Sequence, residues 1–411
     1  MSGAAATEIA AARLEQLLAE RTDANRRYFT AESERIALLC HQMAERFARG
    51  GRLVALGSSP VARSDVRHVA VEFVHPVIVG KRALPAIGVA REGGSLVTKA
   101  ELVLEPEDIA IAFAGDHDDG GEVRAAVSLA RARECLTIAF APCGAEWELE
   151  PPSEDAFVRQ ELVETLYHVL WELVHVFFEH RGLLEGRSAA PLHDTGASSF
   201  LYPFLGEQEH DLDGVLADVR ASVLMKAEEV ALLRERTLRD GEGELLGAAA
   251  ALRAVLDGGG KLLAFGNGGS ATDAMDAVAD LRRPPGGWPA RRALDLTEDA
   301  AILTAIANDI GAEALFARQI IAYGRSGDAL LAFSTSGGSA NVIAALAEAR
   351  RRGLVTVAMV GYDGGRVAEE RLADHVIVTP SEHVPRIQEA QASAWHALRE
   401  LVELAPEGTA P

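Results

Sequence analysis

Two short turns in the C-terminal half carry the residue types that hold an anion. Gly266-Asn267-Gly268-Gly269-Ser270 follows an apolar run and opens a helical one, and Ser334-Thr335-Ser336-Gly337-Gly338-Ser339 does the same. Glycines let the backbone approach a ligand closely, and a helix N-terminus offers N–H groups and a partial positive charge. The four hydroxyls of the second turn add donors without any Lys or Arg. Either turn alone reads equally well as an ordinary strand-to-helix connection. Two of them in one half, one so rich in hydroxyls, point to a phosphate.

A second set of candidates lies in the N-terminal half. In Asp65-Val-Arg-His68-Val-Ala-Val-Glu72-Phe73, His68 and Glu72 stand at i and i+4 on one helix face. Taken alone this is a helix-surface ion pair, and His168 taken alone is a core histidine bonded to a neighbour. The run Asp116-His117-Asp118-Asp119 reads as a solvated loop, and His175 and His180 as structural.

The elements that must position these residues come in two copies. Gly51-Arg-Leu-Val-Ala-Leu-Gly57 matches Gly260-Lys-Leu-Leu-Ala-Phe-Gly266, and Asp108-Ile-Ala-Ile-Ala-Phe113 matches Asp328-Ala-Leu-Leu-Ala-Phe333. Leu136-Thr-Ile-Ala-Phe matches Val355-Thr-Val-Ala-Met, and Gln160-Glu161 with His168 matches Gln388-Glu389 with His396. Short apolar runs ending in small-residue turns are buried parallel strands. Long helical stretches, roughly 7–49 and 211–257, precede the first strand of each copy. Strands alternating with helices predict a parallel sheet covered on both faces. The expected fold class is therefore α/β: two doubly wound parallel-sheet domains in tandem, each with a long N-terminal helical segment. The expected domains are 1–180 and 211–411, joined by a linker at 181–210 whose apolar stretch Phe200-Leu-Tyr-Pro-Phe-Leu205 docks on a domain surface.

Composition narrows the function classes. The 411 residues carry a net charge of −21, the opposite of a nucleic-acid-binding footprint. Three cysteines, Cys40, Cys135 and Cys143, have no CxxC spacing and suit a reducing compartment. The N-terminal stretch carries Glu and Arg throughout, unlike a signal peptide, and no run approaches 18 apolar residues. A soluble cytoplasmic protein with no nucleic-acid partner and no membrane attachment is expected.

The segments GNGGSATDAMDAVADL, ILTAIAND, FSTSGGSANVIAALAEARRRGL and RIQEAQASAWHALRELVE, which cover most of 211–403, resemble the SIS-domain phosphoheptose isomerases. Those enzymes convert sedoheptulose 7-phosphate to glycero-manno-heptose 7-phosphate. The resemblance implies phosphosugar contacts at Asn267, Gly268, Gly269, Ser270, Asn308, Asp309, Ser334, Thr335, Ser336, Ser339 and Gln388. It implies no nucleotide cofactor. The same segments also resemble a non-catalytic relative that binds the bacterial replication initiator, so a phosphosugar-binding regulatory protein is the alternative.

The family carries a His-x-x-x-Glu pair after the first loop, and a Gln and a His eight residues apart near the last helix. In relatives these four bind a divalent metal, usually zinc, and the Glu and His transfer protons. In the C-terminal half the corresponding residues are Asp276, Asp280, Gln388 and His396. In the N-terminal half they are His68, Glu72, Gln160 and His168. The resemblance thus implies Glu72, His168, Asp280 and His396 as catalytic candidates and all eight as metal candidates. The N-terminal half lacks the phosphate turns, with Gly57-Ser-Ser-Pro60 and Gly115-Asp-His-Asp-Asp-Gly120 in their places, and lacks the Asn308-Asp309 segment. Eight residues on a straight helix span about 12 Å, so Gln388 and His396 reach one ion only if the Gln precedes the helix. The complementary losses suggest a fused pseudo-dimer with composite sites. The expected activity is aldose–ketose isomerisation through an enediolate, performed by a homodimer of the tandem chain.

Overall fold

The computed structural model describes residues 3–77, 81–90, 94–114, 121–180, 183–184, 211–285 and 287–404. The run at 116–119 and the stretch at 200–205 lie outside the described residues. The chain separates into two compact units, residues 24–228, and residues 1–23 together with 229–411.

The first unit follows α1 (Gly3–Ala48) with β1 (Leu53–Gly57), α2 (Pro60–Val74), β2 (Ala86–Ala90), α3 (Leu96–Val103), β3 (Ile109–Phe113), α4 (Gly121–Ala132), β4 (Leu136–Ala139), β5 (Trp147–Glu148) and α5 (Ala156–Glu179). Its sheet has the order β2-β1-β3-β4-β5, with every pairing parallel. Strand side chains point alternately to the two faces. Accordingly Leu53 and Ala55 enter one core with Phe29, Met43 and Trp171, while Val54 and Leu56 enter another with Leu96 and Val127.

The second unit holds the C-terminal part of α6 (Leu212–Asp240), then α7 (Glu242–Asp257), β6 (Leu262–Phe265), α8 (Gly269–Arg282), β7 (Ala293–Asp295) and α9 (Ala300–Asp309). After a 3-10 turn come α10 (Leu315–Tyr323), β8 (Ala329–Ser334), α11 (Ala340–Arg351), β9 (Val355–Gly361), α12 (Gly365–Glu369), β10 (His375–Thr379) and α13 (Val384–Glu403). Its sheet order, β7-β6-β8-β9-β10, repeats that of the first unit, and again every pairing is parallel. Leu262 and Ala264 face one core, Leu263 and Phe265 the other.

The repeat extends to single contacts. A Cβ on Gly51 would lie 2.2 Å from the Glu107 carbonyl oxygen, and one on Gly260 would lie 2.2 Å from that of Gly327. Asp108 accepts from the Arg52 backbone N–H at 2.9 Å and pairs with its guanidinium at 2.7 Å. Asp328 accepts from the Lys261 backbone N–H at 3.0 Å and pairs with its ammonium. Each Asp thereby ties the start of a central strand to its neighbour.

The unit boundaries differ from the sequence expectation of 1–180 and 211–411. Leu14, Leu17 and Leu18 of α1 bury in the second unit's core beside Leu245 and Leu398. Val215, Val219 and Val223 of α6 bury in the first unit's core. Both sets follow the i, i+3/i+4 spacing of one helix face, which specifies that the face is buried and not which sheet it covers. Between β2 and β3 the described residues form one helix, α3, where the second unit has α9 and α10 between β7 and β8.

Candidate functional site

The two hydroxyl- and glycine-rich turns follow the adjacent strands β6 and β8, in register at Phe265 and Ala332. The chain passes from β6 outward to β7 and returns to β8, so the strand order reverses direction between β6 and β8. In open parallel sheets that switch point, at the carboxyl ends of the strands, is where ligands bind. The first turn closes only with glycine at 266, where a Cβ would lie 2.2 Å from the Ser270 carbonyl oxygen. Gly268 stands at the N-cap of α8 with φ of 57°, and no side chain caps that helix. In the second turn the Ser334 hydroxyl accepts from Gly337 N–H at 3.1 Å and the Ser336 hydroxyl from Gly338 N–H at 3.2 Å. Gly337 has φ of 59°, and a Cβ there would meet the Gly364 carbonyl oxygen at 2.1 Å. Ser339 is the N-cap of α11 without bonding the helix amides through its side chain.

Two helix N-termini free of side-chain caps thus stand side by side, and their turns are joined directly. Asn267 donates to Asn341 at 3.0 Å and Asn341 donates back at 2.9 Å. Thr335 is half-buried, Asn267 and Ser336 are exposed, and Ser270 is buried. Asn308 and Asp309 sit exposed in the last turn of α9, with the Asn308 amide donating to the Asp309 carboxylate at 2.7 Å.

The corresponding turn of the first unit is built differently. The Ser59 hydroxyl caps α2 by accepting from Ala62 N–H at 3.0 Å, and Pro60, in the first turn, has no N–H to offer. Here one first-turn amide is occupied by the cap and another is missing.

Of the acid–base candidates in the second unit, Asp280 near the end of α8 and His396 on α13 come together, with Oδ2 3.7 Å from Nε2. Trp395 Nε1 donates to the same Oδ2 at 2.8 Å. Both residues are buried, and burial pushes the Asp280 carboxyl above its ordinary range, an effect that His396 and Trp395 oppose. Gln388 is buried at the start of α13, and Asp276 is half-buried one turn before Asp280. Asp276, Asp280 and His396 do not bring three ligand atoms within 4.8 Å of one another.

In the first unit three buried side chains do converge: ligand atoms of His68, Glu164 and His168 all lie within 4.8 Å of one another. His68 comes from α2, and Glu164 and His168 come from α5 one turn apart. The two Nε2 atoms are 3.3 Å apart, Tyr167 Oη lies 2.9 Å from His68 Nδ1, and Glu72 Oε1 lies 3.9 Å from His68 Nε2. Burial, reinforced by His168, pushes the His68 pKa well below its ordinary value, so the ring is neutral at pH 7. Gln160, one turn before Glu164 on α5, is half-buried. His175 is structural, with Nδ1 2.7 Å from the Trp171 carbonyl oxygen and Nε2 3.1 Å from that of Arg82.

Sequence reasoning missed Glu164, Tyr167, Asn341 and Trp395. In the repeat register Glu164 falls opposite Ala392, so comparing the halves pointed to Gln160. The Glu-x-x-x-His spacing on α5 was the available signal for Glu164. Among the described residues no helix is long and apolar enough to cross a membrane.

The SIS domain model matches residues 227–361. The phosphoheptose isomerase of Thermodesulfovibrio yellowstonii is 41% identical over 180 residues, which span 43% of this chain and 87% of that protein. The phosphoheptose isomerase of a Roseiflexus species is 47% identical over 152 residues, spanning 35% of this chain and 73% of the relative. Among solved structures, tagatose-6-phosphate ketose/aldose isomerase from Escherichia coli superposes with a TM-score of 0.56 at 16% identity, covering 97% of this chain and 94% of that one. The C-terminal domain of glucosamine-fructose-6-phosphate aminotransferase from Francisella tularensis gives 0.57 at 9% identity, covering 95% and 94%. At these identities the two structures show a shared tandem fold.

Proposed function

We propose a phosphosugar aldose–ketose isomerase, because the chain belongs to the phosphoheptose isomerase family of SIS-domain proteins through its C-terminal half. The observation that carries this reading is the paired cradle at the β6/β8 switch point: two uncapped helix N-termini, their turns joined by Asn267 and Asn341. Such a cradle suits the dianionic phosphate of a sugar phosphate. A seven-carbon sugar 7-phosphate, such as sedoheptulose 7-phosphate, is the substrate class we assign. Asn267, the Gly268 and Gly269 backbone, Ser270, Ser334, Thr335, Ser336 and Ser339 would hold the phosphate, with Asn308, Asp309 and Gln388 toward the sugar.

Isomerisation moves one proton between C1 and C2 and one between the two oxygens, through an enediolate. Asp280 as carboxylate would take the carbon-bound proton and return it to the neighbouring carbon, and His396 would serve the oxygens. A divalent metal, where bound, would stabilise the enediolate oxygens.

Asp280 lies eleven residues beyond Gly269, about 16 Å along a straight helix, more than the sugar's length. The phosphate grip of one domain and the acid–base pair of that same domain therefore do not serve one sugar. We assign the two roles to the C-terminal domains of two chains in a homodimer.

A second reading, a non-catalytic phosphosugar-binding regulator, is favoured by the seal around Asp280, which is 2% exposed and bonded by Trp395. Incubating the full chain with sedoheptulose 7-phosphate in deuterated water separates the two by NMR. The isomerase forms the aldose with deuterium on the exchanging carbon. Binding with neither aldose nor deuterium uptake would leave the regulator.

A further inference from the structure

The turn after β9 has a strained backbone. Among the described residues, Glu107, Glu134, Tyr362 and Arg371 have a positive φ without being glycine. Glu107, Glu134 and Arg371 follow helices and lie shortly before β3, β4 and β10, near the amino ends of those strands. Tyr362, with φ of 53°, alone among them follows a strand. It therefore stands at the carboxyl edge, where open parallel sheets bind ligands. A left-handed backbone disfavours a bulky side chain. Such strain persists only where the surroundings hold it, and it clusters at ligand sites.

The surroundings hold Tyr362 firmly. Its N–H donates to the Ser381 carbonyl oxygen at 3.1 Å, and Val367 N–H donates to that of Gly337 at 3.1 Å. Residues 361–365 lie backbone to backbone on the serine turn. A Cβ on Gly361 would come within 2.4 Å of the Thr335 carbonyl oxygen, and one on Gly365 within 2.4 Å of that of Ser336. β9 is also the parallel neighbour of β8, with Val360 opposite Ser334. Tyr362 is nonetheless 37% exposed, beside a turn whose Ser336 is exposed too. The fold thus keeps a large ring out of the core, on a backbone that glycine would adopt without strain.

We propose that Tyr362 is a specificity-determining residue of the cradle, packing its ring against the carbon chain of a sugar phosphate whose phosphate occupies the turns after β6 and β8. An aromatic ring offers a flat apolar face to C–H groups. The ring then distinguishes a sugar phosphate from inorganic phosphate, which the turns alone bind. This inference rests on the phosphosugar reading of the cradle and adds to it a residue that reads the sugar.

Calorimetry on the full chain, with inorganic phosphate and sedoheptulose 7-phosphate as probes, tests it. Tyr362→Gly should bind sedoheptulose 7-phosphate about tenfold more weakly, the scale of one aromatic contact, and inorganic phosphate as wild type does. Its Tm should not fall, because glycine takes a positive φ without a Cβ clash. Tyr362→Phe should keep the wild-type affinity for both probes, and a Phe variant as weak as the Gly variant would overturn the ring contact. Tyr362→Asn, which also tolerates this backbone, should match Tyr362→Gly and takes its place if that variant does not fold. Wild-type affinity for the sugar phosphate in Tyr362→Gly would overturn the inference and leave the phosphosugar reading standing. An equal loss for both probes would overturn it as well, since Tyr362 would then only brace the serine turn. A wild type that binds neither probe would overturn both.

Discussion

Asn267 and Asn341 exchange side-chain hydrogen bonds, 3.0 Å in one direction and 2.9 Å in the other, and so lock the turn after β6 to the first turn of α11. Asn341→Ala should weaken binding of a sugar phosphate by about 1 kcal/mol, the net worth of a neutral hydrogen bond. Because the two amides act as one unit, Asn267→Ala should add less in the Asn341→Ala background than alone. Full additivity in calorimetry would show that the pair does not position the cradle.

Ser336 is exposed, and its hydroxyl accepts only from within its own turn, leaving the O–H to donate. Ser336→Ala should weaken sugar-phosphate binding by about 1.5–3 kcal/mol, the range for a bond to a charged group. The dephosphorylated sugar should bind equally poorly to both proteins. An unchanged affinity for the phosphate ester would remove this turn from the site.

The raised pKa of Asp280 has two consequences of opposite value to the protein. A base must be deprotonated, so kcat/KM should rise with pH through a limb lying above the ordinary Asp value of about 3.9. For stability the folded state binds the extra proton, so this group's contribution is present below the unfolded pKa and is lost as pH rises through the folded one. Asp280→Asn removes that loss and keeps an acceptor for Trp395. Its Tm at neutral pH should match or exceed the wild type's. A variant melting well below wild type would show that the carboxylate is a structural anchor.

If the phosphate grip and the acid–base pair of one site come from two chains, inactive variants should complement. Mixing Asn267→Asp with Asp280→Asn under subunit exchange should restore about a quarter of wild-type turnover, one intact site in each mixed dimer of a two-fold assembly. Activity no greater than the average of the two parents would place all the machinery in one chain.

Most of the fold was legible because it is written in local pattern. Runs such as Leu262–Phe265 and 329–333, apolar at every position, specify strands covered on both faces, and the two halves share Gly51/Gly260 and Asp108/Asp328. The exchange of helical segments was not legible, since Leu14, Leu17 and Leu18 would suit either core. The glycine- and hydroxyl-rich turns between strand and helix could be read from the sequence, whereas Asn341 needed a partner 74 residues away. Glu164 has no acidic counterpart in the second half, and its place beside His68 depends on how α2 meets α5.

If the chemistry belongs to Asp280 and His396, as proposed, steady-state turnover of sedoheptulose 7-phosphate by wild type, Asp280→Asn and Glu72→Gln will separate the variants. Asp280→Asn should lose 10²–10⁴ in kcat, roughly the value of a positioned base, with sugar-phosphate affinity kept, and Glu72→Gln should turn over at the wild-type rate. A collapse of kcat in Glu72→Gln with Asp280→Asn unaffected would contradict the account, as would a wild type without turnover.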